Sequence, residues 1–134
     1  MNKIAIVNSS SFGKIFVEHL EKLREIGEVE FFNFDQHIPG KELAEALKGY
    51  NYIIASVTPF FDKEFFENKD ELRLLSRHGI GYNNVDLEAA KEHNTLVTII
   101  PALVEREAVA EQNVTNLLNL MRRVSQSTKR VLSD

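Results

Sequence analysis

The sequence predicts an α/β protein of the flavodoxin-like class. The expected architecture is a three-layer sandwich around a five-stranded parallel sheet in the order 2-1-3-4-5, followed by a long C-terminal helix. Three observations lead there. Short runs rich in Ile, Val, Leu and Phe alternate with amphipathic stretches along most of the chain. Strands separated by helices pair in parallel through right-handed crossovers. A length of 134 residues, 43% of them hydrophobic, suits one compact domain with a real core.

Residues 3–7, Lys-Ile-Ala-Ile-Val, read as a buried first strand. The polar loop from Asn8 follows, with Ser11 placed to cap a helix whose apolar side is Ile15, Val17, Leu20 and Leu23 and whose stop signal is Gly27. Residues 29–34 read as the second strand. Pro39 and Gly40 open a helix carrying Leu43, Ala46 and Leu47, and Gly49 ends it. Residues 52–57 form the third strand, 62–67 a short helix and 72–76 the fourth strand. Asp86 caps a helix running to His93, with Glu88 favouring its N-terminal dipole, and 96–100 is the fifth strand. From 106 to 125 the chain reads as one helix with the stripe Ala110, Val114, Leu117, Met121 and Val124, widened by Leu118. That stripe either covers the sheet or faces a domain junction or subunit. The polar run from Ser125 to Thr128 reads as the start of a linker. The expected division is therefore a domain over 1–105 and a junction helix with linker over 106–134.

Composition excludes several classes of function. A net charge of −4 offers no footprint for nucleic acid or an anionic membrane. With no cysteine there are no disulfides and no thiolate metal sites. The apolar stretch after Met1 is too short for a signal peptide, and no run approaches the ~18–20 residues needed to span a bilayer. A cytoplasmic protein is expected.

In open parallel sheets, ligands bind beyond the carboxyl ends of the strands, which directs attention to the loops 8–13, 58–62 and 77–84. Asp35-Gln36-His37-Ile38-Pro39-Gly40 has the D-x-H-x-x-G spacing of a cobalamin site, but it follows the second strand rather than the first and reads as a surface turn. A phosphate-accepting receiver would need carboxylates where Asn8-Ser9-Ser10 and Ser56-Val57-Thr58 stand. Ser9-Ser10-Ser11-Phe12-Gly13-Lys14 offers hydroxyls ahead of a helix and so a loose match to an FMN phosphate loop. Ser76-Arg77-His78-Gly79-Ile80-Gly81-Tyr82-Asn83-Asn84-Val85-Asp86 places two glycines just past a strand end. Positive φ at both would bring successive amides together as a nest for a carboxylate; a purely structural turn is the competing account. Asn84 stands where a dinucleotide fingerprint needs its third glycine.

Residues 72–86 resemble the strand-loop-helix segment of the D-2-hydroxyacid dehydrogenases, whose usual form is L-K-x-I-x-R-x-G-x-G-x-D-N-V-D. The resemblance continues through Leu87-Glu88-Ala89-Ala90, Val97 and Pro101 to Glu107-Ala108-Val109-Ala110-Glu111, which looks like the family's A-V-A-E helix start, and then Leu117, Leu120, Arg122 and Arg123. Order and spacing agree over about fifty residues, whereas the first seventy agree only in element order. Asn83 replaces the usual Asp, Ala102 a common Gly, and Gln112 a frequent His.

The resemblance implies the N-terminal substrate-binding domain of an enzyme that transfers hydride between NAD or NADP and a small 2-oxo or 2-hydroxy acid. The family's substrate Arg, acid–base His and G-x-G-x-x-G belong to a second domain, and no equivalent stretch occurs in these residues. His19, His37, His78 and His93 are not substitutes. No catalytic residue, metal ligand or bound cofactor is therefore expected here, and the chain alone should be inactive. By the same resemblance the amides of Ile80 and Gly81 hold the substrate carboxylate, with Gly79 setting the turn. Thr58, Pro59 and Phe60 shape the side-chain pocket, Phe12 helps to close it, and His78 lines the cleft. The long helix implies a homodimer. The alternative is a free-standing flavodoxin-like binding module, with FMN as its ligand.

Overall fold

A computed structural model describes residues 2–133. Contacts divide the chain into two compact units, one ending at Ile100 and the other starting at Pro101.

The first unit holds a five-stranded, wholly parallel sheet in the order β2-β1-β3-β4-β5, as the sequence predicts. Its elements are β1 (Asn2–Val7), α1 (Val17–Ile26), β2 (Gly27–Phe32), α2 (Gly40–Ala46), β3 (Tyr52–Ala55), α3 (Lys63–Asn68), β4 (Leu74–Arg77), α4 (Leu87–Glu92) and β5 (Leu96–Thr98). Side chains alternate across the sheet with the period of two that a strand imposes. Ala5, Val7, Ile53, Ala55 and Leu75 face the main core, where Leu43 and Leu47 around α2, Phe65 and Phe66 of α3, and Ala89 and Ala90 of α4 cover them. Ile4, Ile6, Tyr52, Ile54, Leu74 and Ser76 belong to the opposite phase. There an apolar depression lies between the strands and Leu23 and Ile26 of α1. Burial fades from β1 outward, and Leu96 at the β5 edge is exposed.

Caps behave as their chemistry requires in two helices. Asp62 Oδ1 accepts from Phe65 N at 2.9 Å, and Asp86 Oδ1 accepts from Ala89 N at 3.0 Å. Ser11 does not cap α1. The helix starts only at Val17, Phe16 occupies the cap position without a side-chain bond, and Ile15 and Val17 are exposed. Leu20 is the residue of α1 that is buried. β2 also runs over Gly27–Phe32 rather than 29–34, and Phe34 N donates instead to Asn8 Oδ1.

The second unit consists of α5 (Leu103–Arg122) and α6 (Val124–Ser133). The expected single helix is broken at Arg123, whose left-handed φ of 50° ends α5 by turning its N–H to the carbonyls of Asn119 and Leu120. Residues 125–128, expected as linker, are helical. Their polarity does not oppose helix, since Thr128 returns its hydroxyl to Val124 O. Ala110, Val114, Leu117, Met121 and Val124 are all exposed.

Candidate functional site

The loops at the carboxyl ends of β1, β3 and β4 are tied to one another by side chains. Asn8 adopts φ 51°, a conformation Asn tolerates better than most residues. Its amide nitrogen donates to Phe34 O and to Thr58 Oγ1, both at 3.0 Å, while its oxygen accepts from Phe34 N at 2.7 Å. Phe12 packs edge-on against His78, with ring centroids 5.4 Å apart. Thr58-Pro59 is a cis peptide bond, with Pro59 buried and Phe60 half exposed beside it.

The turn after β4 is organised around a buried cation. Arg77 occupies an inward position of the strand and is 5% exposed. Its Nη1 donates to His78 O at 2.9 Å and its Nε to Asn84 Oδ1 at 3.2 Å. Gly79 closes over the guanidinium at φ +155°, and a Cβ there would sit 2.8 Å from Nη1. The N–H of Gly79 donates to Arg77 O and its carbonyl accepts from Ile100 N. The next two amides, Ile80 and Gly81, make no hydrogen bond among the described residues.

One expectation about this turn is corrected. Both glycines were expected to need positive φ, but only Gly79 has it. Gly81 is exposed, and a Cβ at that position would meet nothing within 4 Å. The bend is made at Gly79, two residues before Gly81, where the chain must pass the guanidinium.

Asn84 is a residue of this turn that the sequence alone does not mark. Asn84 is 7% exposed and spends its whole side-chain amide on the site: Nδ2 donates to Ser56 O at 3.2 Å and Pro59 O at 3.0 Å, and Oδ1 accepts from Arg77. The signal was present at Arg77, a charged residue in the buried phase of a strand, which requires polar partners nearby. Asn83, the family departure, is exposed, so it does not pin the turn.

The glycine turn does not match a dinucleotide fingerprint. The glycine turn ends on Asn84, whose buried side chain is already committed to protein carbonyls where the fingerprint needs close backbone approach. The hydroxyl loop is no better placed for FMN phosphate. Ser9 Oγ accepts from Phe12 N, and the loop does not lead directly into a helix N-terminus, since α1 begins at Val17. His37 sits in a turn held by Asp35 Oδ1, as expected of a surface turn. Among the described residues no group of three His, Asp or Glu could hold a metal ion, and no helix is long and apolar enough to cross a membrane.

Residues 4–132 match the family described as D-isomer specific 2-hydroxyacid dehydrogenase, catalytic domain. The chain belongs to this family. It is 31% identical over 114 residues to the glyoxylate reductase of Pyrococcus furiosus, an alignment covering 85% of this chain and 34% of that protein. The apo-structure of D-lactate dehydrogenase from Escherichia coli superposes with a TM-score of 0.76 at 27% identity, covering 96% of this chain and 40% of that one. The NAD-complexed D-isomer specific 2-hydroxyacid dehydrogenase of Lactobacillus delbrueckii ssp. bulgaricus gives a TM-score of 0.57 at 25% identity, covering 92% and 37%. The chain thus spans about a third of the length of the relatives it matches. The family resemblance expected from residues 72–123 is borne out, as is the flavodoxin-like sheet order.

Proposed function

We propose that this chain is the substrate-binding lobe of an NAD- or NADP-dependent D-2-hydroxyacid dehydrogenase, gripping the carboxylate of a small 2-oxo or 2-hydroxy acid. One observation carries this. At the carboxyl end of β4, the Ile80 and Gly81 amides make no hydrogen bond among the described residues, while Gly79 uses its own N–H to set the turn. Two such adjacent amides beside a buried guanidinium suit a carboxylate better than a neutral group. Thr58, Pro59 and Phe60 stand across the mouth as the wall for the acid's side chain. Phe12 and His78, packed together, supply a wall beside the turn. The names of the relatives, glyoxylate reductase and D-lactate dehydrogenase, point to short acids of this kind.

No residue of this chain is assigned to proton or hydride transfer, and the nicotinamide nucleotide finds no cradle among the described residues. Residues 1–105 serve as the lobe that holds the acid. Residues 106–134, with their uncovered stripe, serve a junction between lobes or the pairing of two copies in a homodimer.

Amide NMR of the 134-residue chain titrated with glyoxylate tests the reading. Two charge-assisted hydrogen bonds at about 1.5–3 kcal/mol each place the dissociation constant on the order of a millimolar. Saturable shifts at Ile80 and Gly81, absent with chloride at equal ionic strength, are expected. Shifts spread evenly over the surface, or identical with chloride, would discard it.

A further inference from the structure

We infer that Asn84 is the positioning residue of this site: it locks the β3 loop to the β4 turn, so that the wall for the acid's side chain and the nest for its carboxylate act as one rigid unit. The inference takes the substrate reading above as its premise.

The side chain of Asn84 reaches both elements at once. Its two N–H donors go to carbonyls on either side of Val57 and Thr58, Ser56 O at 3.2 Å and Pro59 O at 3.0 Å. Its single carbonyl oxygen accepts from Arg77 Nε at 3.2 Å, and that guanidinium also holds His78 O beneath Gly79. The backbone continues the tie, since Asn84 O accepts from Phe61 N at 2.7 Å and Phe61 O accepts from Asp86 N at 2.9 Å. An isolated parallel bridge pairs Phe61 with Val85 at the same place. Ahead of this ladder, no other hydrogen bond joins residues 57–60 to residues 78–83 among the described residues.

Few side chains meet this requirement. A carboxylate keeps the acceptor for Arg77 but turns an oxygen towards two carbonyls. A hydroxyl has one donor for two acceptors. Asparagine supplies two donors and an acceptor in one plane, at a reach that matches a residue lying between two loops. Because the ties run to backbone atoms, they fix where Thr58, Pro59 and Phe60 stand relative to Ile80 and Gly81 without dictating which side chains occupy those positions. Asn84 touches no substrate atom in this scheme. It sets how sharply the site distinguishes acids by side chain, because discrimination requires both ends of the ligand to be held at a fixed separation.

The experiment is a paired NMR titration of the whole chain with glyoxylate and with pyruvate, which differ by one methyl group, for the native chain, Asn84→Asp and Asn84→Ser. In the native chain the amides of Ile80, Gly81, Phe60 and Phe61 and the side-chain NH2 of Asn84 should titrate with one common dissociation constant for each acid. In Asn84→Asp the nest amides should still respond. The Phe60 and Phe61 amides should lose their shared transition, and the ratio of the pyruvate to the glyoxylate dissociation constant should move at least threefold towards unity. A purely structural contribution would weaken both acids equally and leave that ratio unchanged. If Ile80 and Gly81 are silent in the native chain, the substrate reading falls and this inference with it. If they respond while the Asn84 side-chain amide and Phe60 do not, or if Asn84→Asp titrates as the native chain does, Asn84 is not the lock and the substrate reading stands. Should both variants unfold, the side-chain NH2 signal of the native chain decides alone.

Discussion

Phe12 and His78 meet edge to face at 5.4 Å, joining the loop after β1 to the turn after β4. Neither ring is needed to complete the sheet, and both are only partly buried. Their contact should therefore appear as an interaction between loops. A double-mutant cycle with Phe12→Leu and His78→Asn is expected to give a coupling of about 0.5–1.5 kcal/mol by urea unfolding. Additive losses would mean that the two rings are neighbours without energetic coupling.

The two glycines of the turn should behave oppositely. Gly79→Ala must accept a backbone conformation that L residues rarely adopt and a Cβ 2.8 Å from Arg77 Nη1. A loss of roughly 1–3 kcal/mol in unfolding free energy is expected. Gly81→Ala meets nothing within 4 Å and should stay within about 0.5 kcal/mol of the native chain. Equal stabilities for the two variants would show that the guanidinium moves aside freely.

Tyr50 is buried against Phe32, and its hydroxyl donates to Glu30. Burial, followed by the hydrogen bond and the negative charge of Glu30, pushes its pKa up to about 12. An unfolded tyrosine titrates near 10. The folded group thus holds its proton longer, and the stability this contributes is complete below about pH 10 and lost as the pH rises through about 12. Ultraviolet titration should show this phenol ionising late, and Tyr50→Phe should remove that phase. At neutral pH the substitution should cost about 1 kcal/mol, for a lost hydrogen bond at the core edge.

Leu117 and Met121 are 56% and 69% exposed on one stripe of α5. Exposed apolar stripes of this length are commonly covered by association, and a two-fold dimer is the simplest closed form. Sedimentation at micromolar concentration should show a dimer, with Leu117→Glu and Met121→Glu each shifting the chain to monomer. A native monomer, or a dimer indifferent to both charges, would remove the pairing role from α5.

The 134-residue chain, given NADH or NADPH with glyoxylate or pyruvate, should show no turnover above the blank. The reason is that neither a G-x-G-x-x-G stretch nor the Arg and acid–base pair that the family resemblance assigns to a second domain occurs in these residues. Measurable oxidation of either nucleotide by the pure chain would require catalytic groups within it.

The sheet was legible because its signal is local. Alternating apolar strands and helix stop signals place β1 to β5 in order, and the glycine turn marks the carboxyl end of β4. What escaped was set by partners distant in sequence. Phe34 looks like strand, but Asn8 draws it out of the ladder. Ser11 looks like a cap, but the loop runs on to Val17 before it coils. Both glycines look as if they need positive φ, but passing the Arg77 guanidinium requires it at Gly79 and not at Gly81. The polar residues from Ser125 to Thr128 look like a linker because a solvated helix and a solvated coil have similar composition.

The placement of β1 between β2 and β3 has a consequence for how this chain tolerates damage. The strand made first serves as the keel of the sheet, with ladders along both of its edges and Ala5, Ile6 and Val7 wholly enclosed. Shortening the unit from β5 removes one outer plank. Losing β1 would leave β2 with no neighbour and detach Asn8 from Phe34 and Thr58, so the sheet and the mouth of the site would come apart together.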